Sequence, residues 1–178
     1  MRSIDVYIKD ETEYLEYVSD ILNNFEFQKL ENYVHHNSNR LQHSLNVSFY
    51  SYKISKLFNL DSKKVARASL LHDFFLIDNL SVSKIDRFKT LFLHPRKAHF
   101  NSSKYYFLSD MEQNIILSHM FPIGLDFPRY KESLLVDLVD DYVAIYEAIY
   151  AKRNEISAAL TYLFIFIVNF SFRRWGIW

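Results

Sequence analysis

Residues 40–58, "RLQHSLNVSFYSYKISKLF", carry apolar side chains on two opposite sides of one helical repeat, and that pattern narrows the folds open to this chain. At about 100° per residue, Leu41, Leu45, Phe49 and Tyr52 fall on one side, while His43, Val47, Tyr50 and Ile54 fall on the other. A helix apolar on both sides has to be covered on both sides, so this one is expected at the centre of a helical assembly, with Ser38 or Asn39 as its N-cap.

Helix breakers are scarce elsewhere too, with only 2 Gly and 3 Pro in 178 residues, and helical periodicity dominates. Residues 11–24 read as an opening amphipathic helix and 26–34 as a second, shorter one. Asp61 caps a helix running to about Phe74, and 75–93 reads as a connection with room for a short helix. Another helix is expected from His94-Pro95, where proline suits the first turn, to about Phe107. Ser109 and Glu112 form a capping-box pattern for a helix to His119. Pro122, Gly124 and Pro128 mark a loop, followed by helices over 131–152 and 155–172. The expected class is all-α. With no repeat, low-complexity tract or linker, residues 1–178 are expected to form one domain.

Composition excludes several functions. The 21 basic and 21 acidic residues cancel, so no global field gathers nucleic acid or an anionic membrane, and any phosphate recognition must be local. Without cysteine there is no disulfide framework, thiolate zinc site or cysteine nucleophile. The charged N-terminal stretch "MRSIDVYIKDETEYLEYV" lacks the apolar core of a secretory signal, so a cytoplasmic location is expected. Residues 156–172, "ISAALTYLFIFIVNFSF", sit at the short end of bilayer-spanning length and are read as a buried helix or a surface for homo-oligomerisation rather than a membrane anchor.

The stretch "ARASLLHDFFLIDN" places His72 and Asp73 side by side in an apolar run. His43, His94 and His119 also fall where an imidazole is awkward, and Asp140 lies in "LLVDLVDDYVAIY". Any one buried histidine is most simply a hydrogen-bonded core residue, but buried imidazoles need partners and buried carboxylates need a counter-charge. Four imidazoles and two carboxylates on successive helices suit a metal site, and a mixed nitrogen and oxygen set suits Fe, Mn, Zn or Co.

The order His43, His72-Asp73, His94, His119, Asp140 resembles the HD-domain superfamily of metal-dependent phosphohydrolases over residues 38–150. "NRLQHSLNVSFYSYKISKLFNLD" resembles its first-histidine helix, "ARASLLHDFF" its His-Asp doublet, and "FLHPRKA", "IILSHMFP" and "LVDDYVAIYE" the later motifs of dinuclear members. The resemblance implies a helical bundle around a two-metal centre. Asp73, the residue on which catalysis turns, would bridge two divalent ions, Fe or Mn first, with Zn, Co and Mg possible. His43, His72 and Asp140 would complete one ion, His94 and His119 the other. The implied nucleophile is a metal-bound hydroxide, and the implied substrate a nucleotide or other small phosphoester. Arg40, one turn before His43, and Arg96 and Lys97 after His94 are candidates for binding its phosphate, with plain surface solvation as the alternative.

Departures and alternatives sit beside this reading. Leu76 stands where many family members carry Lys or Arg three residues after the doublet, and the Gly-Tyr-Pro signature of cyclic dinucleotide hydrolases is absent. His99 is an alternative to His94, and Asp137 an alternative or support to Asp140. His35 and His36 are assigned no role, while Tyr50 or Tyr142 could line a pocket. A di-iron oxygenase on the same ligands and a non-catalytic HD-fold binding module are the alternative functions.

Overall fold

The computed structural model describes residues 11–35, 38–76, 84–150 and 152. Helix α1 (Thr12–Leu22) buries Tyr14, Val18 and Ile21, steps of four and three that keep one face inward. Asn24 opens the short α2 (Phe25–Gln28) by accepting from the Glu26 and Phe27 amides, and a 3-10 turn, Lys29–Asn32, follows. The helix expected through residue 34 stops there. Val34–His35 (β1) pairs antiparallel with Ser38–Asn39 (β2), and the Arg40 amide donates to the Tyr33 carbonyl at 2.8 Å, closing a hairpin that turns the chain into the next helix. That ladder is the only strand pairing among the described residues, and the class is all-α.

Helix α3 (Arg40–Leu57) is capped by Asn39, whose side chain accepts from the Gln42 amide at 2.7 Å. It is central, and its enclosed surface takes in part of both expected stripes, Phe49 and Tyr52 on one and His43 and Val47 on the other. Tyr50 is 44% exposed and Leu41, Leu45 and Ile54 are only half-buried, while Ser44, Ser48, Ser51 and Ser55 are fully enclosed. Spaced four, three and four residues apart, these small side chains form a groove that admits α4 (Ser62–Leu71), with which α3 shares its most extensive contact. Ser48 lies at the crossing, receiving a hydrogen bond from the Tyr14 hydroxyl at 2.9 Å and donating to the Ala66 carbonyl at 2.7 Å.

Asp61 caps α4 by accepting from the Lys64 amide. The helix ends at Leu71, three residues short of Phe74, because the Phe74 amide reaches Leu71 and the Phe75 amide reaches Asp73, tightening the chain into a turn. Helix α5 (Lys84–Tyr105) begins ten residues earlier than expected, so Pro95 lies inside it and residues 84–93 are helix rather than connection. No glycine interrupts that stretch, and a proline inside a helix removes a single amide donor.

Helix α6 (Asp110–Ser118) opens on the expected Ser109–Glu112 capping box. Asn114 then ties down the following loop, donating to the Phe127 carbonyl and accepting from the Arg129 amide and the Ser133 hydroxyl. These bonds lead into α7, helical from 131 to 150. The helix expected over 155–172 lies outside the described residues. Among those described, no helix is long and apolar enough to cross a membrane.

Candidate metal centre

Five elements deliver six side chains to one place. His43 comes from α3, His72 and Asp73 from the turn that ends α4, His94 from the middle of α5, His119 from the C-cap of α6 and Asp140 from α7. All six are buried, although they span 98 positions of sequence from 43 to 140. His43, His72 and Asp73 each present a ligand atom within 4.8 Å of the others, and so do His72, His119 and Asp140, and Asp73, His94 and His119. His72, Asp73 and His119 are each shared by two of these groups and therefore sit at the middle of an interlocked cluster.

Atom by atom, His43 Nε2 lies 2.9 Å from Asp140 Oδ1, and His72 Nε2 is 3.6 Å from the same oxygen. Asp73 Oδ1 is 3.4 Å from His94 Nε2 and 3.8 Å from His119 Nε2, while those two nitrogens approach each other to 2.9 Å. His72 Nδ1 donates to the Ser69 carbonyl at 2.7 Å, and His119 Nδ1 donates to the Ile116 carbonyl at 2.8 Å. Each ring is tied back to its own preceding turn, so the proton stays on Nδ1 and the Nε2 lone pair points into the cluster.

Burial and charge act in opposite directions here. Burial alone would lower the pKa of His43, but its hydrogen bonds to Asp140 and Glu147 and the nearby charges of Asp140 and Asp73 prevail and raise it to about 10. For His72, too, burial is outweighed by Asp140 and Asp73, and the shift is upward. His119 goes the other way, to about 3, through burial and then the charges of His72 and His94, which leaves a neutral ring. Asp140 is held well below the usual carboxylate range, because the charge of His72 and the bond from His43 overcome its burial.

The donor set fits a divalent metal. His72 Nε2 is buried and faces the Asp140 carboxylate at 3.6 Å, beyond a normal hydrogen bond, an arrangement that a cation between the two groups would satisfy. Imidazole nitrogens and carboxylate oxygens converging in a dry site are the ligands that first-row metals take.

The remaining expected residues divide. His99 and Asp137 belong to none of the three groups, whereas His94 and Asp140 do. Arg40 is fully enclosed beside the cluster: its Nη1 donates to the Phe75 carbonyl at 2.6 Å, its guanidinium stacks 3.8 Å over the Phe75 ring, and Nε lies 3.9 Å from Asp73 Oδ2. Arg96 and Lys97 line a cleft of about 510 Å³ with Phe75, Leu93, Phe100 and Asn101. Arg96 also sits 3.7 Å from Asp126. Tyr50 and Tyr142 instead border a small cavity of about 40 Å³ beside Asn46.

The sequence reading missed Glu147 and Asn46. Glu147 Oε2 lies 3.1 Å from His43 Nδ1, and its Oε1 accepts from Asn46 Nδ2 at 2.8 Å. A signal existed: Glu147 interrupts the apolar run "AIYEAIY" seven residues after Asp140, which places both acids on one helix face.

The family model for the HD domain matches residues 40–145. No curated protein and no solved structure gave a match.

Proposed function

This chain belongs to the HD-domain family, and from that premise we propose that it is a metal-dependent phosphohydrolase acting on a nucleotide or other small phosphoester. An HD domain points to metal-dependent hydrolase chemistry. The observation that supports the finer reading is the convergence of six buried donors in three overlapping groups of three. In the partition that the family resemblance implies, His43, His72 and Asp140 with Asp73 would hold one ion, and Asp73, His94 and His119 the other. Two divalent ions, Fe or Mn before Zn, Co or Mg, would supply Lewis-acid polarisation of a phosphoryl oxygen and lower the pKa of water toward neutrality.

The protein's own part is to hold the donors still and dry. Ser69 and Ile116 fix the tautomers of His72 and His119 through their carbonyls. Arg40 sits behind the centre, its Nε 3.9 Å from Asp73 Oδ2, while the Phe75 carbonyl and ring hold the guanidinium in place. Phe75 also faces the His94 ring at 5.2 Å, so the wall of the cleft adjoins the centre. A cleft of about 510 Å³ is within the range of small-molecule sites. Its aromatic walls suit a flat apolar group, and Arg96 and Lys97 suit the attached phosphate.

The test is metal analysis of the purified protein beside Asp73→Ala, followed by a phosphoesterase screen with added Mn²⁺ or Fe²⁺. The expected result is about two ions per chain, lost in the variant together with hydrolysis. A wild-type protein that takes up no metal under any loading condition would overturn the proposal and leave a binding module. Iron with oxygen-dependent turnover and no hydrolysis would replace it with an oxygenase.

A further inference from the structure

We infer that Glu147 is a positioning residue for the centre, acting through His43 to set the affinity of one ion; the inference rests on the metal-centre reading above. The three well-defined Nδ1 contacts in the cluster are not equivalent. His72 and His119 each direct Nδ1 to a backbone carbonyl of their own preceding turn, a neutral acceptor fixed by the helix end. His43 directs Nδ1 across to another helix, onto a carboxylate 104 residues away in sequence.

That carboxylate is itself constrained. The Glu147 side chain is 9% exposed, and both of its oxygens are engaged, Oε2 by His43 and Oε1 by the Asn46 amide. Asn46 is held in turn, its Oδ1 accepting from Gln42 Nε2 at 3.1 Å. The series Gln42, Asn46, Glu147, His43 thus links two turns of α3 to the far end of α7 and terminates on a ring whose other nitrogen faces Asp140.

A carboxylate accepting from one imidazole nitrogen fixes the tautomer and increases electron density at the other, which makes it a stronger donor to a cation. A neutral carbonyl does this less. Of the three overlapping groups, the one containing His43 is therefore tuned by a carboxylate. Burying an acid is costly unless it is paired, so its place here is tied to its contacts.

The experiment is a Mn²⁺ titration of the full chain by calorimetry for wild type, Glu147→Ala and Glu147→Gln, each repeated in a His43→Ala background, with circular dichroism to confirm folding. Glu147→Ala is expected to weaken one of the two ions by about 10- to 100-fold and leave the other within about 3-fold. Glu147→Gln should fall between, since its amide oxygen still accepts the Nδ1 proton without the charge. In the His43→Ala background neither change should have further effect. Equal weakening of both ions, or an undiminished effect without His43, would make Glu147 a structural residue and overturn the inference. Wild-type affinity at both sites would also overturn it while leaving the metal centre intact. A wild-type protein that binds no Mn²⁺ would remove both readings together. Should Glu147→Ala fail to fold, the isosteric Gln variant decides.

Discussion

Asp137 and His43 show how the centre charges its surroundings, and in the metal-free protein they separate by pH. Burial lifts the Asp137 carboxyl to about 7, the charges of Asp141 and Asp140 add to this, and a hydrogen bond from the Phe121 backbone opposes it. Its reference value is 3.8, so the folded state holds this proton more tightly than the unfolded one. Stability is then undiminished by Asp137 below about pH 4 and falls as pH climbs toward 7, by at most about 4 kcal/mol in total. For His43 the folded value of about 10 exceeds 6.5, so its contribution is present below pH 6.5 and is lost as pH rises toward 10. Between pH 4 and 7 His119, its pKa held at about 3, works in the opposite direction, because there the unfolded state binds the extra proton. The Asp137 contribution is therefore read as a difference: in urea unfolding of chelator-treated protein, Asp137→Asn should gain stability relative to wild type as pH climbs from 4 to 7 and keep the fall above pH 7 assigned to His43. A wild-type-minus-variant difference that does not change between pH 4 and 7 would refute the assignment to Asp137.

Between elements, the contact that organises the bundle is made by serines. Ser44, Ser48, Ser51 and Ser55 are small enough to let α3 and α4 approach closely, and of these enclosed hydroxyls Ser48 and Ser55 are paired, Ser55 donating to the Tyr52 carbonyl at 2.7 Å. Ser48 both accepts from Tyr14 and donates to the Ala66 carbonyl. Ser48→Ala is expected to cost about 1 to 3 kcal/mol, the penalty for leaving a buried hydroxyl and a carbonyl unsatisfied. Ser48→Leu should cost more, since the groove has no room for a branched side chain. Urea midpoints measure both, and an Ala variant as stable as wild type would refute the role given to these bonds. The exit of α3 is built with similar economy. The Leu60 amide reaches the Ser55 carbonyl and the Asn59 amide reaches Lys56, a Schellman arrangement in which Asn59 takes a φ of 52°. Asparagine tolerates that conformation better than other non-glycine residues.

At the scale of the molecule, the centre joins α3, the end of α4, α5, α6 and α7, so whatever it binds is bound by the folded state alone. Mn²⁺ at about 100 times its dissociation constant should stabilise the protein by about 2.7 kcal/mol. For a chain of this size that is an increase in Tm of roughly 5 to 10 °C. Thermal unfolding with metal, with chelator and in Asp73→Ala measures it, and a wild-type Tm indifferent to metal would count against a centre shared by these elements. The sequence by itself determined the helical class, the caps at Asp61 and Ser109, a cap at Ser38 or Asn39 that the structure resolves to Asn39, and six residues whose chemistry belongs together, because periodicity and misplaced polarity are local signals. It missed that Ser44, Ser48, Ser51 and Ser55 are enclosed on α3 beside the buried apolar residues, and it misplaced the start of α5, which a proline seemed to mark. Only the tertiary structure decided that Arg40 faces inward to Phe75 and Asp73, and that Glu147 meets His43. Those contacts join residues 33 to 104 positions apart, and no local pattern carries the distance between two helices that meet only when the chain has folded.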